Sequence, residues 1–168
     1  MFRLDKKVAL VTGGGSGIGK AISEALSTNG AIVYVLDVQE ENGISTVNQL
    51  RKKGLQAHFL KCDVSNQDLV KEIFQKIFNK ENRLDILINN AGISHIGIAD
   101  NTSEEDFERI FRINVKGVYN CLHKALPYMK DGGGGAIINV SSVAAIVGLP
   151  DRFAYSMSKG AVSSMTLS

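Results

Sequence analysis

The chain has 168 residues, enough for one domain with a sizeable core, and its 44% apolar and 21% charged content is that of a globular rather than a disordered protein. Nineteen Lys and Arg against 17 Asp and Glu leave a formal charge of +2, which makes no bulk electrostatic case for nucleic acid or an anionic membrane, and no apolar run approaches the ~18 residues of a membrane span. Cys62 and Cys121 fit no metal or redox spacing, and the start Met1–Lys7 is charged at once without an apolar signal region, so the expected setting is reducing and cytoplasmic.

In chain order, Val8–Val11 reads as a first short strand and Gly17–Asn29 as a helix with an Ala21, Ile22, Ala25, Leu26 stripe. Gly30 stands where a helix C-cap belongs, and Ala31–Leu36 is the second strand. A helix over Glu40–Lys53 ends at Gly54, followed by strand Leu55–Leu60, helix Asn66–Lys80 and strand Leu84–Ile88. Ser103 and Asp106 open one long helix over Ser103–Met129 as N-cap and early acid. Gly132–Gly135 is a turn before the fifth strand, Ala136–Val140, and a last helix begins near Tyr155. Short continuous runs of Val, Ile and Leu suit strands buried on both faces, as parallel sheets require. Strand alternating with helix predicts an α/β fold: a doubly wound parallel sheet with right-handed crossovers and helices on both faces.

The first chemical signal is Thr12-Gly13-Gly14-Gly15-Ser16-Gly17-Ile18-Gly19, between the first strand and its helix. Glycines let the backbone approach a ligand closely, and a helix N-terminus offers free N–H groups to a phosphate. The G-x-G-x-x-G fingerprint fails, because Lys20 stands where its last glycine belongs. A P-loop, G-x-x-x-x-G-K-[ST], fits from Gly14 to Lys20 but breaks at Ala21, where the hydroxyl for Mg²⁺ should be. The remaining pattern is T-G-x-x-x-G-x-G. Asp37 closes the second strand at the spacing expected of a ribose-binding acid. A carboxylate there accepts from both ribose hydroxyls and repels a 2′-phosphate, and neither Ser16 nor Val38 offers that phosphate a cation. NAD is therefore expected over NADP.

Tyr155 and Lys159 stand at i and i+4, on one face of a helix. A free phenol ionises near pH ~10, and a neighbouring ammonium favours the phenolate, bringing proton transfer toward neutral pH. The pair follows a strand that ends in Ser141-Ser142, and parallel strands present their C-terminal ends to ligands.

Taken together, Thr12-Gly13-x-x-x-Gly17-x-Gly19, Asp63-Val64, Asn89-Asn90-Ala91-Gly92, Asn114, Ser142 and Tyr155-x-x-x-Lys159 resemble the short-chain dehydrogenase/reductase family. The resemblance covers Val8 to Lys159 and implies a single Rossmann-like dinucleotide-binding domain over 1–168. It implies that Gly13, Gly15, Ser16, Gly17, Ile18 and Gly19 hold the pyrophosphate and that Asp37, with Val38 beside it, holds the adenosine ribose. Asp63 and Val64 would contact adenine, and Asn90, Ala91 and Gly92 would line the cofactor cleft. Tyr155 would be the general acid or base. Lys159 would bind the nicotinamide ribose, Ser142 the substrate oxygen, and Asn114 a water in a proton relay. The implied assembly is a tetramer or dimer packed through the Ser103–Met129 and Tyr155 helices.

The chemistry expected is therefore NAD-dependent oxidation of a secondary alcohol or reduction of a ketone, without a metal. His58, His95 and His123 share no metal-ligand spacing with the cysteines, and Ser142 lies in no G-x-S-x-G elbow. The loops Ile93–Asp100 and Val143–Phe153 carry Ile93, Ile96, Val143, Val147, Leu149 and Phe153, which predicts a neutral, largely apolar carbonyl substrate. His95 is a candidate substrate-facing residue. A 3-oxoacyl thioester, a sugar and a steroid-like alcohol all stay open as substrate classes, and a non-catalytic dinucleotide-binding module is the alternative class. The chain stops at Ser168 with no helix stop signal before it. The resemblance implies further strands beyond that point, so the expectation is an incomplete chain with weakened cofactor binding and turnover.

Overall fold

A computed structural model describes residues 3–168; Met1 and Phe2 of the charged start lie outside the described residues. Five parallel strands form one sheet in the order β3-β2-β1-β4-β5. They are β1 (Val8–Thr12), β2 (Ile32–Asp37), β3 (Ala57–Lys61), β4 (Ile86–Asn89) and β5 (Ala136–Asn139). The helices joining them are α1 (Gly17–Thr28), α2 (Glu40–Lys52) and α3 (Gln67–Glu81), then α4 (Glu104–Phe111) and α5 (Gly117–Asp131), and α6 (Phe153–Leu167) follows β5.

Alternation along the strands builds two cores. Val8, Leu10, Tyr34 and Leu36 point to one face, where Val70, Phe74 and Ile77 of α3 and Cys121, Ala125 and Met129 of α5 cover them. Ala9, Val11, Val33 and Val35 point to the other, under Ile22 and Leu26 of α1 and Val47 and Leu50 of α2. This is the doubly wound arrangement expected. Burial on both faces holds for β1 and β2, but not for β5. As an edge strand it leaves Ile138 half exposed, while Ile137 packs on the α5 side.

The local signals are explicit. Gly30 and Gly54 take the left-handed turns (φ 98° and 76°) that end α1 and α2. The Asn66 side chain caps α3 through Leu69 N–H, and the Ser103 hydroxyl caps α4 through Asp106 N–H. One expectation is corrected. The helix predicted as continuous over Ser103–Met129 is broken between α4 and α5 by a π-helical turn, Arg112–Lys116. That turn carries the buried Asn114, and π-turns inside helices commonly mark sites where one residue is re-aimed.

Strand order reverses between β1 and β4. Their C-terminal ends, Thr12 and Asn89, therefore open the crevice where such sheets bind ligands.

Candidate active site

A cleft of about 530 Å³ opens at this switch point. It gathers Gly13, Ser16, Gly17, Ile18, Asp37 and Val38 from the first two strand ends and Asp63 and Val64 from the third. Asn90, Ala91 and Gly92 come from the fourth, and Tyr155 and Lys159 from α6. Four residues expected at the site do not line it: Gly15, Gly19, Asn114 and Ser142. The first three lie just beneath the walls.

The glycine loop is tight for a reason. A Cβ on Gly19 would sit 2.1 Å from the Gly13 carbonyl oxygen and 2.5 Å from Asn90 Nδ2. Gly13 itself is left-handed (φ 62°) and packs against Ala91. Ser16 stands at the N-cap of α1 without capping it through its side chain, so the first-turn N–H groups face the cleft uncommitted. Gly15 lies under Asp37: its N–H donates to Asp37 Oδ2 at 2.9 Å, and Gln39 N–H donates to Oδ1 at 2.9 Å. Each carboxylate oxygen keeps capacity for another donor.

Thr12 locks β1 to the β4 loop. Its Oγ1 accepts from the N–H groups of Asn90 and Ala91, both at 3.0 Å, and Asn90 Nδ2 donates back to the carbonyls of Thr12 and Gly13. At the end of β3, Asp63 Oδ1 accepts from Ser65 N–H, and the buried Asn120 of α5 donates to the Val64 carbonyl at 2.8 Å. Cys62, beside them, is a closed-in thiol: burial first, then the Asp63 charge, pushes it up to about 12.

At the opposite end, Lys159 is 6% exposed and donates one hydrogen bond, to the Val140 carbonyl at 2.7 Å. Burial pulls its ammonium below the ordinary lysine range. Its Nζ lies 5.9 Å from the Tyr155 ring centroid. Gly92 packs close by: a Cβ there would lie 3.5 Å from Lys159 Nζ and 3.2 Å from Asn114 Oδ1. The Asn114 amide is nearly spent: Oδ1 accepts from Ile93 N–H, and Nδ2 donates to the Ile93 carbonyl and to Ser158 Oγ. It clamps the β4 loop to α6.

The two serines separate cleanly. Ser141 Oγ donates to the Lys159 carbonyl and pairs with Ser163, tying β5 to α6. Ser142 Oγ accepts from Ala144 N–H and keeps its own proton. His95 does not reach the cleft wall; its Nε2 lies 3.5 Å from Asp106 Oδ2. The cleft also uses residues not expected from sequence, Cys62, Ile113, Val140 and Ser141, while Ile93 and Ser94 belong to the loop expected to wall the substrate pocket. Val140 acts through its backbone carbonyl, which no side-chain pattern reveals; Cys62 could have been found as the residue before Asp63 at a strand end.

A family model described as short chain dehydrogenase matches residues 7–168. An uncharacterized oxidoreductase of Thermotoga maritima is 43% identical over 162 residues, which are 96% of this chain and 64% of that protein. A cyclopentanol dehydrogenase of Comamonas testosteroni is 41% identical over 166 residues, 99% of this chain and 66% of its own length. The chain thus spans just under two thirds of these relatives. Among solved structures, an NAD⁺-bound xylitol dehydrogenase superposes with a TM-score of 0.93 at 32% identity, over 96% of this chain and 63% of that one.

Proposed function

Since the chain belongs to the short-chain dehydrogenase family, we propose that it serves hydride transfer between NAD(H) and a secondary alcohol or ketone, with Tyr155 as general acid and base. The observation that carries this reading is one cleft holding the Tyr155 ring, the buried Lys159 ammonium and the uncapped N-terminus of α1. When bound, the nicotinamide supplies or takes up the hydride. The chain's own residues handle the proton and the oxygen. In oxidation the Tyr155 phenolate takes the alcohol proton; in reduction the phenol returns one to the carbonyl oxygen. Lys159, anchored by Val140, has two N–H donors left for ribose hydroxyls and for the phenolate. Ser142 does not line the cleft itself but stands on the loop just after β5 with its proton uncommitted, from where it would donate to the substrate oxygen, and Asn114 is a positioning residue that holds the Gly92 loop against α6.

Asp37 supports NAD over NADP. Its two oxygens each have room for a ribose hydroxyl, worth about 1.5–3 kcal/mol as charge-assisted bonds, and the same charge repels a 2′-phosphate. The substrate side supports a neutral carbonyl. A backbone bridge between Gly97 and Arg152 joins the two loops, and Ile96, Val143, Val147, Leu149 and Phe153 stand exposed on them. Similarity to a cyclopentanol dehydrogenase points to cyclic alcohols as first compounds to try. Exposed Phe107, Phe111, Tyr119 and Leu126 along α4 and α5 support a homo-oligomer packed on that surface, which light scattering reads directly.

The test is fluorescence titration with NADH and NADPH, then turnover of a cyclic alcohol and ketone panel followed at the reduced-nicotinamide absorbance. NADH should bind more tightly, and Asp37→Ala should narrow the gap. Equal or tighter NADPH binding by the unsubstituted chain refutes the cofactor assignment.

A further inference from the structure

A second concave site lies at the outer edge of the sheet, away from the cleft. Tyr34 of β2 and His58 of edge strand β3 are paired in register, so both side chains leave the sheet on the α3 face. Their rings stack with centroids 4.9 Å apart. Three cations stand around this floor: Arg51 near the end of α2, and Lys76 and Lys80 one turn apart on α3. Together they enclose a depression of about 200 Å³. Tyr34 and His58 sit in the first halves of their strands, whereas the cleft is built on the strands' C-terminal ends.

Donors outnumber acceptors here. Arg51 Nη2 approaches His58 Nδ1 at 3.3 Å, and Lys80 Nζ approaches Nε2 at 3.5 Å. A neutral imidazole accepts at one nitrogen and carries a proton on the other. One of the two cations therefore faces an N–H. Protonating His58 would make both contacts donor against donor, and burial followed by the charges of Lys80 and Arg51 does hold its pKa below the usual value. The acceptors in reach are already shared. Tyr34 donates to Glu81 at 2.5 Å and accepts from Lys80 at 3.1 Å, and Glu81 lies 3.4 Å from Lys80. Among the described residues no carboxylate pairs with Lys76.

We propose that this pocket binds a small tetrahedral oxyanion of the phosphate class, held between Arg51, Lys76 and Lys80 over the Tyr34–His58 floor. Such an ion brings several acceptor oxygens into a site that lacks them. It takes the unmatched imidazole N–H, gives Lys76 a partner and offers Arg51 a charge-assisted contact for the N–H groups that Ala57 does not use. No covalent step is involved.

Inorganic phosphate is the probe. Two-dimensional ¹H–¹⁵N imidazole spectra follow His58 as phosphate replaces chloride at constant ionic strength, with His58→Gln assigning the signal. NADH is present to keep phosphate off the glycine loop; the His58 resonance reports this pocket whether or not the cleft is filled, so failure of the cofactor assignment would show separately. The expected result is a saturable shift of His58 while His95 and His123 stay in place. A Lys76→Gln, Lys80→Gln double variant should weaken binding by about tenfold or more, with a melting temperature lowered only by the loss of the Lys80 contacts to Tyr34 and Glu81. A non-saturating drift matching that of chloride, or equal phosphate affinity in a folded double variant, overturns the proposal. Should the double variant lose stability, His58→Gln followed by calorimetry must still weaken phosphate binding, and unchanged binding there overturns it too.

Discussion

Replacing Thr12 with Val tests whether one hydroxyl holds the two halves of the cleft together. The side chain is 2% exposed, and valine fills the same volume. The change removes the acceptor for the N–H groups of Asn90 and Ala91, both 3.0 Å away, and the donor to the Ile88 carbonyl at 3.3 Å. An orphaned buried N–H costs ~1–3 kcal/mol. Both groups are half-buried, which places each near the lower end and the pair at ~2–4 kcal/mol. With a urea m-value of ~2 kcal/mol/M, the unfolding midpoint should fall by about 1–2 M. Thr12→Ser is the control. It keeps the hydroxyl and loses one buried methyl, worth about 1 kcal/mol. The expected order of stability is parent, Ser, Val, and NADH affinity should follow it, because Asn90 and Gly13 move together through the same bonds. A valine variant within ~0.5 kcal/mol of the parent, or more stable than the serine variant, would refute the reasoning.

Tyr155→Phe should leave NADH affinity nearly intact and cut turnover by about 10²–10⁴, measured in steady state on whichever alcohol the panel selects. Gly19→Ala should abolish NADH binding and lower the melting temperature, because its Cβ would lie 2.1 Å from a backbone oxygen that cannot rotate away. Asp85 ties Lys7, Arg83 and Val8 N–H at the N-terminal end of β1 and β4. Burial alone would raise its pKa, but the hydrogen bonds from Arg83, Val8 N–H and Lys7 override it and hold the carboxyl at about 2. Because the folded value is depressed, the stabilisation of about 2 kcal/mol is present above pH ~4 and lost as pH falls toward ~2; the gap between parent and Asp85→Asn in urea melts should close over that range.

Much of the fold follows from signals that act locally. Val8–Val11 and Ile32–Leu36 are apolar without interruption because both faces of those strands are covered, and the glycines after β1, α1 and α2 mark left-handed turns that a missing Cβ favours. The site residues carried by turn chemistry and strand ends were legible for the same reason. The π-turn at Arg112–Lys116 was not. Ile113, Asn114 and Val115 keep the helical apolar pattern, and the extra residue in the turn is imposed by what Asn114 must reach across space, namely Ile93 and Ser158. His95 likewise read as a loop histidine free to face substrate, and only the approach of α4 sets it against Asp106.

Asp85, Ser23 and Ser27 apart, the buried polar groups among the described residues lie toward one end of the sheet, and the geometry of that end explains why. At the switch point β1 and β4 turn to opposite faces, so their following loops lose the ladder partners that satisfied the backbone inside the sheet. Side chains must stand in for the missing strand. Thr12 and Asn90 do so between the β1 and β4 loops, Asn114 between the β4 loop and α6, and Asn120 between the β3 loop and α5. Each also sets the position of a neighbour that faces the cleft: Gly13, Gly92 or Val64. Stability and site geometry therefore depend on the same hydrogen bonds here. Substitutions at Thr12, Asn90, Asn114 or Asn120 should move unfolding free energy and cofactor affinity together, whereas changes at Tyr155 should move turnover alone. A variant of Asn120 that binds NADH normally while unfolding several kcal/mol more easily (about 2 or more, the cost of a broken buried hydrogen bond) would separate the two and contradict that coupling.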